Sequence, residues 1–231
     1  MPTEIKPILY EDCRPLLRIG DIILYRPGEY FGFAGREWIN RRIASVARHE
    51  SFAPWQRYAH AGMVGKAQGV VELMEMLQFR GGRNTRLRWQ VRDWPGQWDV
   101  YRPHDPDGGE GVRYDYLIAA KTMRQLTGTP YGYRSLFIAS AGYVPGLNCL
   151  FDIPKDDAAN GAIDAARHCS QAVSFACRQG GCDPIEDLAD CVTTPNHLAY
   201  PDFAGYVGTL AWTRVQTDLL LKQYGEQSAN H

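Results

Sequence analysis

Short apolar runs that end at proline or glycine turns indicate β-strands in several parts of the chain. Ile22–Tyr25 is such a run, and it is closed by Pro27. The segment 98–103, WDVYRP, ends at a proline in the same way. Between them, residues 58–78 place apolar runs on both sides of a tight turn near Lys66–Gly69, which predicts a hairpin of two strands.

Apolar residues at spacings of three and four predict helices elsewhere in the chain. The segments 35–49 and 114–127 have this period, and a glycine and a proline end the second one. A third helical pattern covers 162–178 and stops at two glycines. Helices mixed with mostly antiparallel strands predict an α+β fold, and without an internal repeat or linker residues 1–231 are expected to form a single domain.

The composition limits the function classes. With 231 residues, 45% of them hydrophobic and 22% charged, the chain can bury one sizeable core. A net charge of -1 gives no field that would attract nucleic acid or an anionic membrane, so neither is expected as a partner. No stretch approaches the roughly 18–20 apolar residues that a transmembrane helix needs.

The N-terminal segment lacks the pattern of a secretory signal peptide, because no basic region leads into an apolar run with a small-residue cleavage site. We therefore expect a cytoplasmic protein, or one delivered by a non-standard route such as a phage component or an effector.

The six cysteines lie at positions 13, 149, 169, 177, 182 and 191. The last four are spaced C-x7-C-x4-C-x8-C, which does not match the paired C-x2-4-C spacing of structural zinc sites. A chain of this length does not need disulfides to fold, so buried free thiols are the expectation for most of the six.

Cys169 is the cysteine whose position best suits a nucleophile. A catalytic thiol needs a nearby base and a positive potential, and a helix N-terminus supplies the potential together with free backbone N–H groups. The residues that follow put Cys169 on an apolar helix stripe, which also suits an ordinary buried cysteine. Periodicity leaves open whether the helix begins there or already at Ala162. Cys177 falls late in the helix, and Cys182 follows two glycines in a turn.

His168 directly precedes Cys169, but neighbouring helix residues point about 100° apart, so the base is expected from elsewhere. His60 begins the first strand of the predicted hairpin. If the hairpin turns about residues 67 and 68, His60 faces Glu75 on one side of the sheet, whereas Glu72 faces the opposite side. A carboxylate beside a histidine fixes its tautomer, although a plain surface His–Glu pair has the same pattern.

Six motifs in this order resemble the permuted branch of the NlpC/P60 papain-like superfamily, the YiiX/YebB-like cysteine hydrolases. The resemblance covers about residues 20–201, and the motifs are GDIILYRPG (20–28), HAGMV (60–64), LMEM (73–76), GTPYGY (128–133), CSQAV (169–173) and TPNHLAYP (194–201).

The resemblance implies a circularly permuted papain-like fold, in which a mostly antiparallel sheet packs against a central helix that carries the cysteine. It implies that Cys169 opens this helix as nucleophile, that His60 is the general base and acid, and that Glu75 orients His60. Glu72 remains the alternative third residue. Tyr131 matches an aromatic position that contacts substrate in such proteins. The segment around 145–166 has no counterpart in the family and is interpreted as an insertion.

The function implied by the resemblance is acyl transfer to Cys169, with no metal or organic cofactor. The first candidate substrate is an amide bond in a bacterial cell-wall peptide, cleaved by an amidase or endopeptidase. The alternative is a lipid- or thioester-directed hydrolase or acyltransferase similar to the lecithin:retinol acyltransferase group. The apolar segment 132–151 could provide the entrance that a lipid needs, or it could be part of the core. A binding module that has lost turnover is the third possibility.

Overall fold

The architecture is an α+β fold, as the sequence predicted, and it is built on one seven-stranded sheet. The computed structural model describes residues 4–27, 43–53, 55–94, 96–104, 114–142, 166–186 and 188–228. The predicted helix at 35–49 falls mostly outside these ranges, and so does the proposed insertion at 145–166 apart from its last residue.

The strand order across the sheet is β1-β7-β6-β2-β3-β4-β5. Among the described strands, the pairing of β1 with β7 is parallel, and the other pairings are antiparallel. The strands are β1 (Pro7–Leu9), β2 (Ile22–Pro27), β3 (His60–Ala67), β4 (Val70–Leu77), β5 (Gly81–Arg86), β6 (Gly96–Pro103) and β7 (Ala204–Ala211).

Helices of very different lengths surround this sheet. Those with defined bounds are α1 (Tyr10–Cys13), α2 (Leu87–Asp93), α3 (Tyr116–Gln125), α4 (Tyr133–Gly142), α5 (Cys169–Gln179) and α6 (Arg214–Ser228). The helix predicted at 114–127 is α3, and it begins where the Asp115 carboxylate accepts hydrogen bonds from two backbone N–H groups of the first turn.

The sheet is buried on both faces, because neighbouring residues of one strand belong to different hydrophobic clusters. Ile22 and Leu24 of β2 pack in the larger cluster, together with residues of α3 and α5. Ile23 and Tyr25 pack in a second cluster, with residues of α1 and α2. The helix that carries Cys169 therefore lies in the main core, against the strands that carry His60 and Glu75.

A buried ion pair ties three strands together in the middle of the sheet. Asp99 of β6 accepts two hydrogen bonds from the Arg26 guanidinium of β2, one of them at 2.8 Å. The hydroxyl groups of Tyr58 and of Thr209 on β7 also donate to this carboxylate. Because Asp99 and Arg26 are both buried, these partners replace the water that the two charges lose on folding.

Asp21, which is part of the GDIIL motif, has the structural role expected for a turn residue. Its carboxylate accepts from the backbone N–H of Arg18 at 2.8 Å and from the Arg102 guanidinium at 2.8 Å. The side chain is buried, so these bonds fix the turn that leads into β2.

None of the described helices is long and apolar enough to cross a membrane. The described cysteines are all free thiols, as the sequence predicted for most of the six, and they are Cys13, Cys169, Cys177, Cys182 and Cys191.

Candidate active site

The helix α5 begins at Cys169, and not at Ala162 as the periodicity allowed. His168 precedes it in an extended conformation, with φ -85° and ψ 174°. The His168 Nδ1 atom accepts from the backbone N–H of Gln171, and the Gln171 side chain accepts from the backbone N–H of His168. This reciprocal capping box ends the helix on its N-terminal side, so Cys169 is its first residue.

The Cys169 thiol is buried, and burial alone would disfavour its ionised form. The positive charge and the hydrogen bond of His60 outweigh burial and hold the pKa of Cys169 well below its usual range. The helix N-terminus favours a thiolate for the same electrostatic reason. The geometry thus favours a thiolate at Cys169.

His60, the first residue of β3, lies between the thiol and a carboxylate. Its Nε2 atom is 2.6 Å from Oε2 of Glu75. Since Nε2 is occupied, we assign the hydrogen bond with the Cys169 thiol to the other ring nitrogen, Nδ1. Burial lowers the pKa of His60, but the Cys169 thiolate and Glu75 raise it more, to about 10. The pair is therefore best described as a thiolate beside an imidazolium.

The predicted hairpin register is wrong by two residues. The turn residues are Gln68 and Gly69, both with positive φ, so Glu75 lies opposite Gly62 rather than opposite His60. A shift of two positions keeps every side chain on its face of the sheet, because side chains alternate with a period of two. Glu75 therefore still reaches His60, along a diagonal between the strands.

Gly62 makes this diagonal contact possible. A Cβ atom at Gly62 would lie 3.3 Å from Cβ of Glu75 and 2.6 Å from a methyl carbon of Leu73. With no side chain opposite it, Glu75 can lean along the strand pair towards His60. Gly62 therefore leaves the space that the Glu75 side chain needs to reach His60.

Glu75 is buried and has a second partner that the sequence did not indicate. The Arg83 guanidinium of β5 donates to Oε1 of Glu75, with Nε at 2.8 Å, and Arg83 is the register partner of Glu75. Burial opposes ionisation of Glu75, but the hydrogen bonds and charges of His60 and Arg83 outweigh it and lower its pKa. The carboxylate thus bridges a histidine and an arginine.

Glu72, the alternative third residue, is not part of this group. It lies three positions before Glu75, so its side chain is on the opposite face of β4. The Arg124 guanidinium of α3 pairs with it at 2.7 Å.

Tyr131 lies against Cys169, in the loop that follows α3. Its backbone forms an isolated parallel bridge with Arg167, just before α5. The Tyr131 hydroxyl hydrogen-bonds with the thiol and the backbone of Cys169 and with the side chain of Gln78. Burial, and after it the charge of Cys169, raises the pKa of Tyr131, so the phenol remains a neutral donor. Contact of Tyr131 with substrate stays a prediction.

His168 is held in a position that suits a cap better than a base. Its Nε2 atom lies 3.1 Å from the carbonyl oxygen of Cys191, and since a carbonyl only accepts, Nε2 donates there. The Nδ1 atom accepts from the backbone N–H of Gln171 in the capping box, so both ring nitrogens are engaged. The expectation that the base comes from elsewhere therefore agrees with the arrangement of His168.

Cys177 has the environment of a packing residue. It is buried in α5, 3.7 Å from the hydroxyl of Tyr114, and burial raises its pKa. Cys182 is half-buried beyond the end of the helix. Among the described residues, Cys169 is the cysteine that has a histidine and an acidic residue in line with it.

Two further residues of the site, Arg83 and Gln78, were not identified from the sequence. Arg83 could have been found by extending the hairpin to a third strand, because the residue opposite Glu75 on β5 is then a basic one. Gln78 lies in the turn after β4, and nothing in its sequence context indicated that this turn approaches the loop with Tyr131.

Aromatic rings, three of them exposed, follow one another from the buried Tyr131 outwards. The backbone N–H of Phe79 donates to the Tyr133 hydroxyl at 2.8 Å, and the two rings pack with centroids 5.9 Å apart. Tyr133 in turn packs against Tyr131 at 5.0 Å. Phe79 is 90% exposed, and Phe137, one turn further along α4, is 63% exposed. These four residues, Phe79, Tyr131, Tyr133 and Phe137, are called the aromatic edge below.

Within the described ranges, no group of three or more His, Cys, Asp or Glu side chains is placed to hold a metal ion.

In a comparison with solved structures, five chains match this protein. No family model matches the chain, and no curated protein matches it. The crystal structure of the metalloprotein YiiX from Escherichia coli O157:H7 aligns with a TM-score of 0.39 and 17% sequence identity. The alignment covers 71% of this chain and 66% of the YiiX chain, slightly less than two thirds of its length.

Proposed function

We propose that this protein is a cysteine hydrolase that cleaves an acyl bond through a thioester intermediate on Cys169. The proposal rests on one observation, the hydrogen-bonded line from Cys169 at the start of α5 through His60 to Glu75. A nucleophile, a base and a group that orients the base are the parts that such chemistry requires.

In the proposed first half-reaction, the Cys169 thiolate attacks the carbonyl carbon of the substrate. In this mechanism the carbonyl oxygen becomes an oxyanion that accepts a hydrogen bond from the backbone N–H of Cys169. The bond between the carbonyl carbon and the leaving group then breaks. The His60 imidazolium gives its Nδ1 proton to the leaving amine or alcohol, and the acyl group stays on the sulfur as a thioester.

In the second half-reaction, neutral His60 takes a proton from water at Nδ1. The resulting hydroxide adds to the thioester carbonyl, and the carbon–sulfur bond breaks to release a carboxylic acid. The proton remains on His60, so the thiolate–imidazolium pair is restored. Glu75 accepts the Nε2–H bond throughout and stabilises the imidazolium whenever it forms.

In the proposed enzyme, Tyr131 assists at the same position. Its hydroxyl contacts both the thiol and the backbone of Cys169, so in the proposed enzyme it can donate to a substrate oxygen that replaces these contacts.

A bacterial cell-wall peptide is the first substrate to test. This choice follows from the resemblance of the sequence motifs to NlpC/P60 enzymes, and an amide bond is within the reach of the proposed mechanism.

A lipid or thioester substrate is the second candidate, and the aromatic edge favours it. Tyr133 packs against Tyr131, the residue that touches the thiol, and Phe79 packs against Tyr133. The rings of Phe79, Tyr133 and Phe137, the last one turn further along α4, are all exposed. An acyl chain bound there would bury these rings, and burial of apolar surface contributes about 25 cal/mol per Å².

The test uses the purified protein and its Cys169→Ala variant on two substrate classes. New amino termini released from peptidoglycan fragments by the wild type alone support the amidase. Acyl release from phospholipid or from an acyl thioester by the wild type alone supports the lipid-directed enzyme.

Labelling with iodoacetamide gives a substrate-independent control. We expect Cys169 to be alkylated at neutral pH much faster than Cys177, because the pKa of Cys169 is lowered and that of Cys177 is raised by burial. Equal labelling of the two cysteines, with neither substrate cleaved, would falsify the proposal.

A further inference from the structure

Arg83 occupies the far end of the line of charges that begins at Cys169. From one end of this line to the other, the groups in contact are the thiol, the imidazole of His60, the carboxylate of Glu75 and the Arg83 guanidinium. Each oxygen of Glu75 has one of these partners, since Oε2 lies 2.6 Å from His60 and Oε1 lies 2.8 Å from Nε of Arg83.

The protonation state of Glu75 decides which tautomer His60 adopts. An ionised carboxylate can only accept, so the ring must carry a hydrogen on Nε2, and the Nδ1 lone pair is then free to take a proton. A protonated carboxyl group would instead donate to Nε2 and place the ring hydrogen on Nδ1, where the base needs a lone pair. The reaction therefore depends on keeping Glu75 ionised.

The fold makes this difficult, because the Glu75 side chain is only 1% exposed. Desolvation favours the neutral acid in such a place. Within the described residues, the charged groups that act on Glu75 are His60 from β3 and Arg83 from β5. His60 changes its own charge during the proposed cycle, whereas Arg83 keeps a constant positive charge at any pH of interest.

We propose that Arg83 is a positioning residue, which keeps Glu75 ionised and thereby keeps a hydrogen of His60 on Nε2, so that Nδ1, on the side of Cys169, is the nitrogen that gives and takes the proton. This inference rests on the proposed function. It assigns to Arg83 no contact with the substrate.

The experiment follows alkylation of Cys169 by iodoacetamide across pH, with mass spectrometry of the Cys169 peptide. The variants are Arg83→Gln, which removes the charge but keeps an N–H donor, and Arg83→Lys, which keeps the charge. Arg124→Ala is the matched control, because it breaks an ion pair with Glu72 on the same strand, away from the thiol.

Without Arg83, Glu75 takes up a proton at higher pH, and the imidazolium that supports the thiolate is lost with it. For Arg83→Gln we expect the acid limb of the alkylation profile to move up by about one pH unit, which is about a tenfold slower reaction on that limb. Arg83→Lys restores most of the wild-type profile, and Arg124→Ala coincides with it. In the wild type we also expect a strongly downfield Nε2 proton in the ¹H NMR spectrum at neutral pH, and its loss in Arg83→Gln.

Two results overturn the inference, and they are distinguishable. If wild-type Cys169 reacts fast and Arg83→Gln follows the same profile with an unchanged Nε2 proton, Arg83 has no positioning role and the proposed function stands. If wild-type Cys169 itself reacts no faster than Cys177, the proposed function fails and the inference fails with it. Should Arg83→Gln not fold, Arg83→Met replaces it as the uncharged variant: an acid limb that moves up by about one pH unit supports the inference, and a wild-type profile overturns it.

Discussion

Glu75 contacts His60 along a diagonal of the β3–β4 pair. Its Oε2 atom lies 2.6 Å from Nε2 of His60, although its direct partner in the strand register is Gly62. The direct position opposite Glu75 on β5 is filled by Arg83. Glu75 is thus shared between two neighbouring strands, and the arrangement depends on an empty space at Gly62.

Gly62→Ala is expected to weaken the site and the fold together. The added Cβ would lie 2.6 Å from a Leu73 methyl carbon and 2.9 Å from the Met74 carbonyl oxygen. Overpacking of this kind costs about 1–3 kcal/mol of unfolding free energy, and it pushes Glu75 away from His60. Urea denaturation and the alkylation rate of Cys169 measure the two effects.

The control for that variant is Gly69→Ala in the hairpin turn. Gly69 has φ +77°, but a Cβ atom added there would have no other atom within 4 Å, so only backbone strain of about 1 kcal/mol is expected. In Gly69→Ala the alkylation rate of Cys169 should equal that of the wild type. A Gly62→Ala variant that alkylates at the wild-type rate contradicts the steric argument.

The Cys169–His60 pair should make the free energy of unfolding depend on pH. The raised pKa of His60 stabilises the fold fully below pH 6.5, and this contribution is lost as pH rises towards about 10. The lowered pKa of Cys169 stabilises the fold above pH 9.0, and this contribution is lost as pH falls. Between 6.5 and 9.0 the two trends cancel, because the folded and unfolded states bind one proton each.

The pair therefore predicts a plateau of stability between these pH values and a decline on either side. Below pH 6.5 the decline comes from Cys169, which is ionised in the folded state and protonated in the unfolded state. In His60→Ala the charge that lowers the pKa of Cys169 is gone, so the part of the decline that this pair causes should disappear. Denaturation curves of both proteins at a series of pH values test this. Identical slopes below pH 6.5 would count against a thiolate–imidazolium pair.

His168 is expected to stabilise the start of α5 through its cap. Loss of an N-cap acceptor costs about 1 kcal/mol, so His168→Ala should unfold at lower urea concentration than the wild type. His168→Asn supplies another good cap and should recover much of the loss. Equal stability of the alanine and asparagine variants would contradict the capping role.

Asp99→Ala should be among the most destabilising single changes in the sheet. It leaves the buried Arg26 guanidinium without its carboxylate, and breaking a buried pair in this way costs about 3–5 kcal/mol. The exposed pair of Arg14 and Glu11 is a suitable comparison, because Glu11→Ala there should cost less than about 1 kcal/mol. Chemical denaturation measures both losses of unfolding free energy. Similar losses for the two variants would show that the buried pair of Asp99 and Arg26 has no special importance for stability.

Several features of the fold followed from local patterns in the sequence. The hairpin, the strand at 98–103 and the helix at 114–127 were predictable, because apolar periodicity and turn residues act over short distances. The predicted hairpin register was wrong by two residues, because the sequence pattern does not determine which two residues occupy the turn. The prediction that His60 and Glu75 share a face is still correct, because a shift by an even number of residues leaves every side chain on the same side of the sheet.

The sequence by itself determined which residues could share a face and which cysteine could stand at a helix start. Only the tertiary structure decided that α5 begins at Cys169, because the capping box of His168 and Gln171 overrides a helical pattern that extends further back. It also decided that Arg83 joins Glu75, and that His60 meets a thiol 109 positions later. These are contacts between distant segments, and they depend on how the sheet and the helices pack, which no local periodicity encodes.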